Sequence, residues 1–512
     1  MATRVVEIGD EALTAEGYRA VAWESASVRL TDAARDRVAR CAQVVREAAR
    51  SGRSIYGVTT GFGSNRDTSI APEQAERLQE KLVISHACGV GRPLPERVVR
   101  GMILLRVEAL AQGFSGIRAE TLERLVLLLN LGIHPVVPEQ GSVGASGDLC
   151  PLAHMTLPLL GMGEVTVAGR TLPAAEALAA AGVEPWRLTY KEGLALLNGT
   201  QAMTALGLEA LLRAERMLDV ADAACALSLD AVGGRLEAFD PRIQAIRRRP
   251  GQVASAARVR ALCVGSELAG SAPGEVEGKR EFVQDAYCLR CAPQVHGAAR
   301  DVLSHVLEVL LTEARAVTDN PLIFPDEGEI LSGGNFHGQP VAMALDYLKI
   351  ALTDLASISE RRTARLVDRA ANEGLPAFLV RNPGLNSGYM IPQYVAAALV
   401  AECKTLSVPA SVDTIPTSAN MEDHVSFGHH AGRQALRILE QLEQVLAIEL
   451  MVAAQAVDLR APRRPGHGNA FVHAQIRAVV PFLEEDRYLA PELASMLELV
   501  RERLRIPELA QP

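Results

Sequence analysis

The stretch Met203–Ala231, MTALGLEALLRAERMLDVADAACALSLDA, decides the fold. It holds no proline and a single glycine, Gly207. Leu208, Leu211, Leu212 and Leu218 fall near one face of a helix, while Glu209, Arg213 and Arg216 form a polar stripe. A helix this long and this weakly charged needs neighbours on several sides. The pattern returns downstream. Leu345, Leu348, Leu352 and Leu355 alternate steps of three and four within 341–366, and Leu436, Leu439, Leu446 and Leu450 repeat the motif within 431–457. Segments 294–317 and 393–406 are two further helical candidates. Hydrophobic residues make up 48% of the chain but aromatics only 4%, so the core must be built from Ala, Leu and Val, a mixture that favours helices.

The expected fold is therefore mainly α, a bundle of long helices over 201–512 with a smaller mixed part over 1–200. Gly and Pro break the first part into short helices and loops. Within it, Glu164–Leu172 (EVTVAGRTL) reads as a hairpin turning at Ala168-Gly169. Segments 373–387 and 460–469 read as loops.

Composition excludes several function classes. A net charge of −9 over 512 residues, with no basic stripe, argues against nucleic acid as a partner. Arg247-Arg-Arg249 is a short solvated cluster. Eight cysteines in so long a chain give no disulfide framework. Cys288 and Cys291 form a CxxC near His296, but no second pair completes a zinc site, so no metal is expected. No apolar run is long enough to span a bilayer, and the N-terminus lacks a signal core. The expected location is the cytoplasm, with no membrane partner.

Upstream of the long helix lies Gly141-Ser-Val-Gly-Ala-Ser-Gly-Asp148. Its centre can make an electrophile from its own backbone. If a tight turn presses the Gly147 nitrogen against the Ala145 carbonyl carbon, a five-membered ring closes and water leaves. A second water leaves when the Ser146 hydroxyl is eliminated, giving a methylidene-imidazolone. Gly147 has no Cβ to block that approach and tolerates strained dihedrals.

The longer string GSVGASGDLCPLAHM, Gly141–Met155, resembles the signature of the histidine and aromatic amino acid ammonia-lyases. The likeness runs through nearly the whole chain. Ile55–Gly63 (IYGVTTGFG) is similar to the family's tyrosine loop, and Leu82–Gly91 (LVISHACGVG) to its substrate-selecting helix. Glu192–Thr200, Val283–Cys291, Thr318–Leu322, Gly333–Gly338 and Thr417–Val425 follow in order. The resemblance implies an ammonia-lyase/fumarase-like helical bundle. It also implies a carbon–nitrogen lyase whose only cofactor is the methylidene-imidazolone (MIO) formed autocatalytically from Ala145, Ser146 and Gly147. A homotetramer with active sites shared between subunits would be its assembly.

Ammonia elimination faces two obstacles: the ammonium is a poor leaving group, and the β-proton is weakly acidic. An electrophile that bonds the substrate amine meets the first. The second needs a strong base, which the resemblance assigns to Tyr56. A phenol ordinarily ionises near about 10, so such a base needs positive helix ends or cations nearby. The resemblance makes Tyr287 a second active-site tyrosine, Phe336 the aromatic shielding the ring, and Asp148 an aid to ring closure. By its type, Asp148 could instead cap a helix starting at Leu149. Arg290 suits the substrate carboxylate with its planar fork. Asn198 and Gln284 have amides suited to that carboxylate or to the electrophile's carbonyl. The resemblance implies that His86 and Glu422 set specificity, His86 by facing the substrate ring and Glu422 as a carboxylate that can accept the imidazole N–H, which a phenyl ring lacks. The likeness is nearest to members acting on L-histidine, which release urocanate. The alternative is a tyrosine or phenylalanine lyase, or a 2,3-aminomutase, using the same cofactor. Met421 departs from the pattern: histidine-specific members usually carry Gln there, so a donor gives way to a thioether.

Overall fold

The long segments do form helices. In the computed structural model, which describes residues 4–50, 56–61, 68, 70–270 and 283–507, helices span Gln201–Ala231, Ala292–Ala314, Gln339–Val367, Met390–Leu406 and Gly428–Asp458. Ile55, Phe62 and Gly63 of the tyrosine-loop motif lie outside the described residues. Most helix starts lie slightly upstream of the expected ones. Pro340 sits in the first turn of Gln339–Val367, where its missing N–H leaves no helical bond unmade.

One expectation is corrected. Segment 460–469 is not wholly a loop, because the helix His467–Arg477 begins inside it. The buried Asp230 carboxylate fixes that start, accepting from Gly466 N–H (2.8 Å) and Asn469 Nδ2 (2.6 Å). Asp230 is more than two hundred positions away in the chain, so no local pattern announces the helix.

The chain divides into two units, neither contiguous in sequence. The first comprises Met1–Glu209, Leu307–Asp346 and Pro409–Arg433. The second comprises Ala210–Val306, Tyr347–Val408 and Gln434–Pro512. Four of the long helices give one end to the first unit and the rest to the second.

Among the described residues, every strand belongs to the first unit. Val5–Ile8 pairs parallel with Ser27–Leu30, and Val90–Pro93 pairs with Pro138–Gln140. The expected hairpin is Glu164–Val167 against Arg170–Pro173, extended by His134–Pro135. Its two turn residues, Ala168 (φ +47°) and Gly169 (φ +76°), are both left-handed, as a tight hairpin requires.

The second unit is helical. Leu436, Leu439, Leu446 and Leu450 are all buried. One fully buried ion pair fixes helix register. Glu449 accepts from Arg362 Nε and Nη2 (2.5 and 2.8 Å) and from the hydroxyls of Ser228 and Ser359 (2.8 and 2.6 Å). Each carboxylate oxygen accepts two hydrogen bonds, the satisfaction that a buried charge requires.

Candidate active site

The 141–148 loop carries an unusual backbone. Gly141, Gly144 and Gly147 have φ of +149°, +82° and +77°, and Ser146, which has a Cβ, has φ +53°. A left-handed serine costs roughly 1 kcal/mol or more, so the surroundings must impose it. They do so from two sides. Phe427 N–H donates to Val143 O (3.0 Å), and Asp148 N–H donates to Gly199 O (2.7 Å). Gly147 and Gly199 lie side by side as an isolated bridge, and a Cβ on Gly147 would run into the Gly199 carbonyl. A Cβ on Gly144 would likewise strike the Ser426 hydroxyl.

Asp148 does not cap the helix Leu149–Thr156 with its side chain. Instead the fully buried carboxylate accepts from Ser142 Oγ (3.0 Å) and Met203 N–H (2.8 Å), tying the loop to the first turn of Gln201–Ala231. Burial pushes this carboxyl up to about 7, against those hydrogen bonds. His429 Nδ1 lies 3.8 Å from Asp148 Oδ1, and its Nε2–H donates to Glu139 O (3.1 Å). Burial lowers His429 to about 4, so it is a neutral imidazole at neutral pH.

Beside the loop opens a cavity of about 910 Å³, large enough for an amino acid. It brings together Tyr56, His86, Ser146, Asn198, Phe336 and Glu422 from six separate motifs. Ser146 Oγ donates to Glu422 Oε1 at 3.1 Å. His86 closes the helix Pro72–His86, and its Nδ1–H donates to Leu82 O (2.8 Å), which leaves Nε2 as an acceptor. Burial pushes His86 below the ordinary imidazole value. Asn198 differs from expectation: its Nδ2 already donates to Asn320 O (2.9 Å), and the buried Oδ1 has no hydrogen-bond partner. As placed, it offers an acceptor for an N–H rather than a donor for a carboxylate.

Tyr287, Gln284 and Arg290 belong to the second unit and do not line this cavity. They sit on one short segment, in which Gln284 and Tyr287 are exposed and Arg290 is half-buried. Tyr287 is 70% exposed, the Arg290 guanidinium lies 4.5 Å from its ring centre, and Arg290 Nε donates to Asp285 O (2.9 Å). His296, next to the CxxC, is committed to Asp222 through Nδ1 (2.7 Å). Among the described residues no group of three His, Cys, Asp or Glu side chains could hold a metal.

Lys81, Thr417 and His429 were not singled out in the sequence. Lys81 had a legible signal. Leu78, Lys81, Leu82, Ser85 and His86 all line the cavity, and their spacing of three and four is one helix face. His429 meets Asp148 and Glu139 by long-range packing, whereas Thr417 reaches Glu422 across five residues of its own turn.

Similarity to known proteins agrees with this geometry. A model of the aromatic amino acid lyase family matches residues 13–478. The chain is 54% identical to a histidine ammonia-lyase of Symbiobacterium thermophilum over 97% of its own length and 96% of the relative's. It is 53% identical to a histidine ammonia-lyase of an Anaeromyxobacter species, covering 96% and 97% respectively. Among solved structures, histidine ammonia-lyase of Trypanosoma cruzi superposes with a TM-score of 0.87 at 41% identity, covering 98% of this chain and 93% of that one. A tyrosine aminomutase of Streptomyces globisporus gives 0.92 at 38% identity, covering 97% of each.

Proposed function

We infer the function from one premise: the chain belongs to the aromatic amino acid lyase family. It is a carbon–nitrogen lyase that removes ammonia from L-histidine without oxidation and releases urocanate. The observation that carries this reading is Ser146. It is held left-handed, with Gly147 jammed against Gly199, on the wall of a cavity that also contains Tyr56, His86 and Glu422.

The residues fit a self-made methylidene-imidazolone at Ala145, Ser146 and Gly147. The bend is left-handed at Ser146 and Gly147, the position after Ser146 cannot carry a Cβ, and Ser146 lines the cavity. That group would supply an electrophile for the substrate amine. The chain's own side chains do the rest. Tyr56 takes the β-proton. Glu422 accepts the imidazole N–H, a contact that a phenyl ring cannot make. Asn198 Oδ1 takes an N–H. Phe336 keeps water from the site. Asp148, buried beside the bend, moves protons while the ring closes.

Tyr287, Gln284 and Arg290 are proposed to complete the cavity from another subunit. The exposure of Gln284 and Tyr287, on a segment apart from the cavity wall, supports a homotetramer with shared sites. The working location is proposed to be the cytoplasm; among the described residues no helix is long and apolar enough to cross a membrane.

The test is direct. Purified protein is incubated separately with histidine, tyrosine and phenylalanine, and its intact mass is measured. Urocanate from histidine, with a mass two waters below the plain chain, is the expected result. A β-amino acid, or an acrylate from tyrosine alone, would replace this reading with the mutase or tyrosine-lyase one.

A further inference from the structure

Glu422 is the specificity residue of the reading above, and the first residue of its own motif, Thr417, holds it. Both of its oxygens are engaged. Oε1 accepts from Ser146 Oγ (3.1 Å), and Oε2 accepts from Thr417 Oγ1 (2.8 Å). The backbone between the two residues is a closed six-residue turn. Thr417 N–H donates to Glu422 O (3.0 Å), and Glu422 N–H donates back to Thr417 O (3.3 Å). Ser418, Ala419 and Asn420 inside it have φ of +50°, +54° and +64°. Three consecutive left-handed residues with side chains persist only where the surrounding structure demands that shape.

The two holds differ in lifetime. Cofactor formation removes Ser146 Oγ together with the Cα hydrogen as water, leaving a Cα=Cβ bond. Nothing is oxidised or reduced. The hydroxyl that occupied Oε1 is then gone, whereas the Thr417 hydroxyl stays on Oε2. We propose that Thr417 is the positioning residue of the mature site: it fixes one oxygen of Glu422 so that the oxygen vacated by Ser146 meets the substrate imidazole. Maturation thereby uncovers the acceptor that reads the substrate, at the place where the substrate must bind. Thr417 does not line the cavity, so it acts only through Glu422. A carboxylate released from Thr417 would rotate, and its contact with the imidazole N–H would weaken.

This inference rests on the histidine reading, and the experiment separates the two. The probes are urocanate, which carries the imidazole, and cinnamate, its phenyl counterpart with the same acrylate. Binding of each to wild type, Thr417→Val and Thr417→Ser is measured by calorimetry, with intact mass checked for loss of two waters. All three proteins are expected to be fully dehydrated. Thr417→Val should bind urocanate at least about tenfold more weakly, as loss of one charge-assisted hydrogen bond implies, with cinnamate unchanged. Thr417→Ser, which keeps the hydroxyl, should restore urocanate binding. In turnover, Thr417→Val should raise KM for histidine more than it lowers kcat. Equal weakening of both acrylates, or of neither, overturns the role of Thr417. Failure of the wild type to convert histidine would instead overturn the reading beneath it.

Discussion

Tyr56 and Ser146 line one cavity, and single substitutions separate the different moments at which the proposed function has them act. Tyr56→Phe removes the proposed base without touching the bend. Its mass should still fall two waters short of the plain chain, while kcat drops by about 10²- to 10⁴-fold, the usual worth of a positioned general base. Normal turnover in that variant would place the base elsewhere. His429 offers a second test, read in stability. Burial holds it at about 4, against about 6.5 in an unfolded chain. A depressed folded-state value means stability that is present above pH 6.5 and lost as pH falls towards 4. The Asp148 carboxyl, raised to about 7, runs the other way and is common to both proteins compared. Wild type should therefore lose more of its denaturation midpoint than His429→Gln between pH 7 and pH 4.5. Parallel losses would show that His429 takes up its proton as freely folded as unfolded.

The elements that matter are a loop and the two segments that grip it. The Gly141–Asp148 loop would relax to an ordinary turn if Gly199 and the Ser426–Phe427 backbone did not confine it. Gly147→Ala places a methyl against the Gly199 carbonyl and should prevent the compressed bend. The variant is expected to fold but to keep the mass of the plain chain. Loss of two waters in that variant would show that close approach to Gly199 is not what drives the ring. The helix Pro72–His86 illustrates the opposite situation, because its active face follows from spacing alone. Once Ser85 and His86 were placed in the site, steps of three and four residues put Lys81 beside them.

At the scale of the whole molecule, the cavity wall and the Val283–Arg290 segment belong to different units of one chain. If subunits exchange these parts, Tyr56→Phe and Arg290→Met damage different halves of a site. Each alone should be nearly inactive. Co-expressed, they should assemble some sites free of either defect and regain measurable turnover. No recovery in verified mixed oligomers would mean that each chain builds its site alone.

The long helices, the hairpin at Ala168-Gly169 and six cavity-lining residues, Tyr56, His86, Ser146, Asn198, Phe336 and Glu422, were legible in the linear chain. Periodicity of apolar residues is local, and so is the chemistry of an Ala-Ser-Gly bend. Other features were not legible. The start of the helix at His467 depends on Asp230, the strain at Ser146 depends on Gly199 and Phe427, and the contact of Glu422 with the bend depends on Ser146. Asp148 was readable as a helix cap until the fold buried it against Met203. Residue types and spacings alone determined which groups this protein possesses. Only tertiary structure decided which of them meet, because burial, backbone strain and the matching of donors to acceptors arise from neighbours far away along the chain.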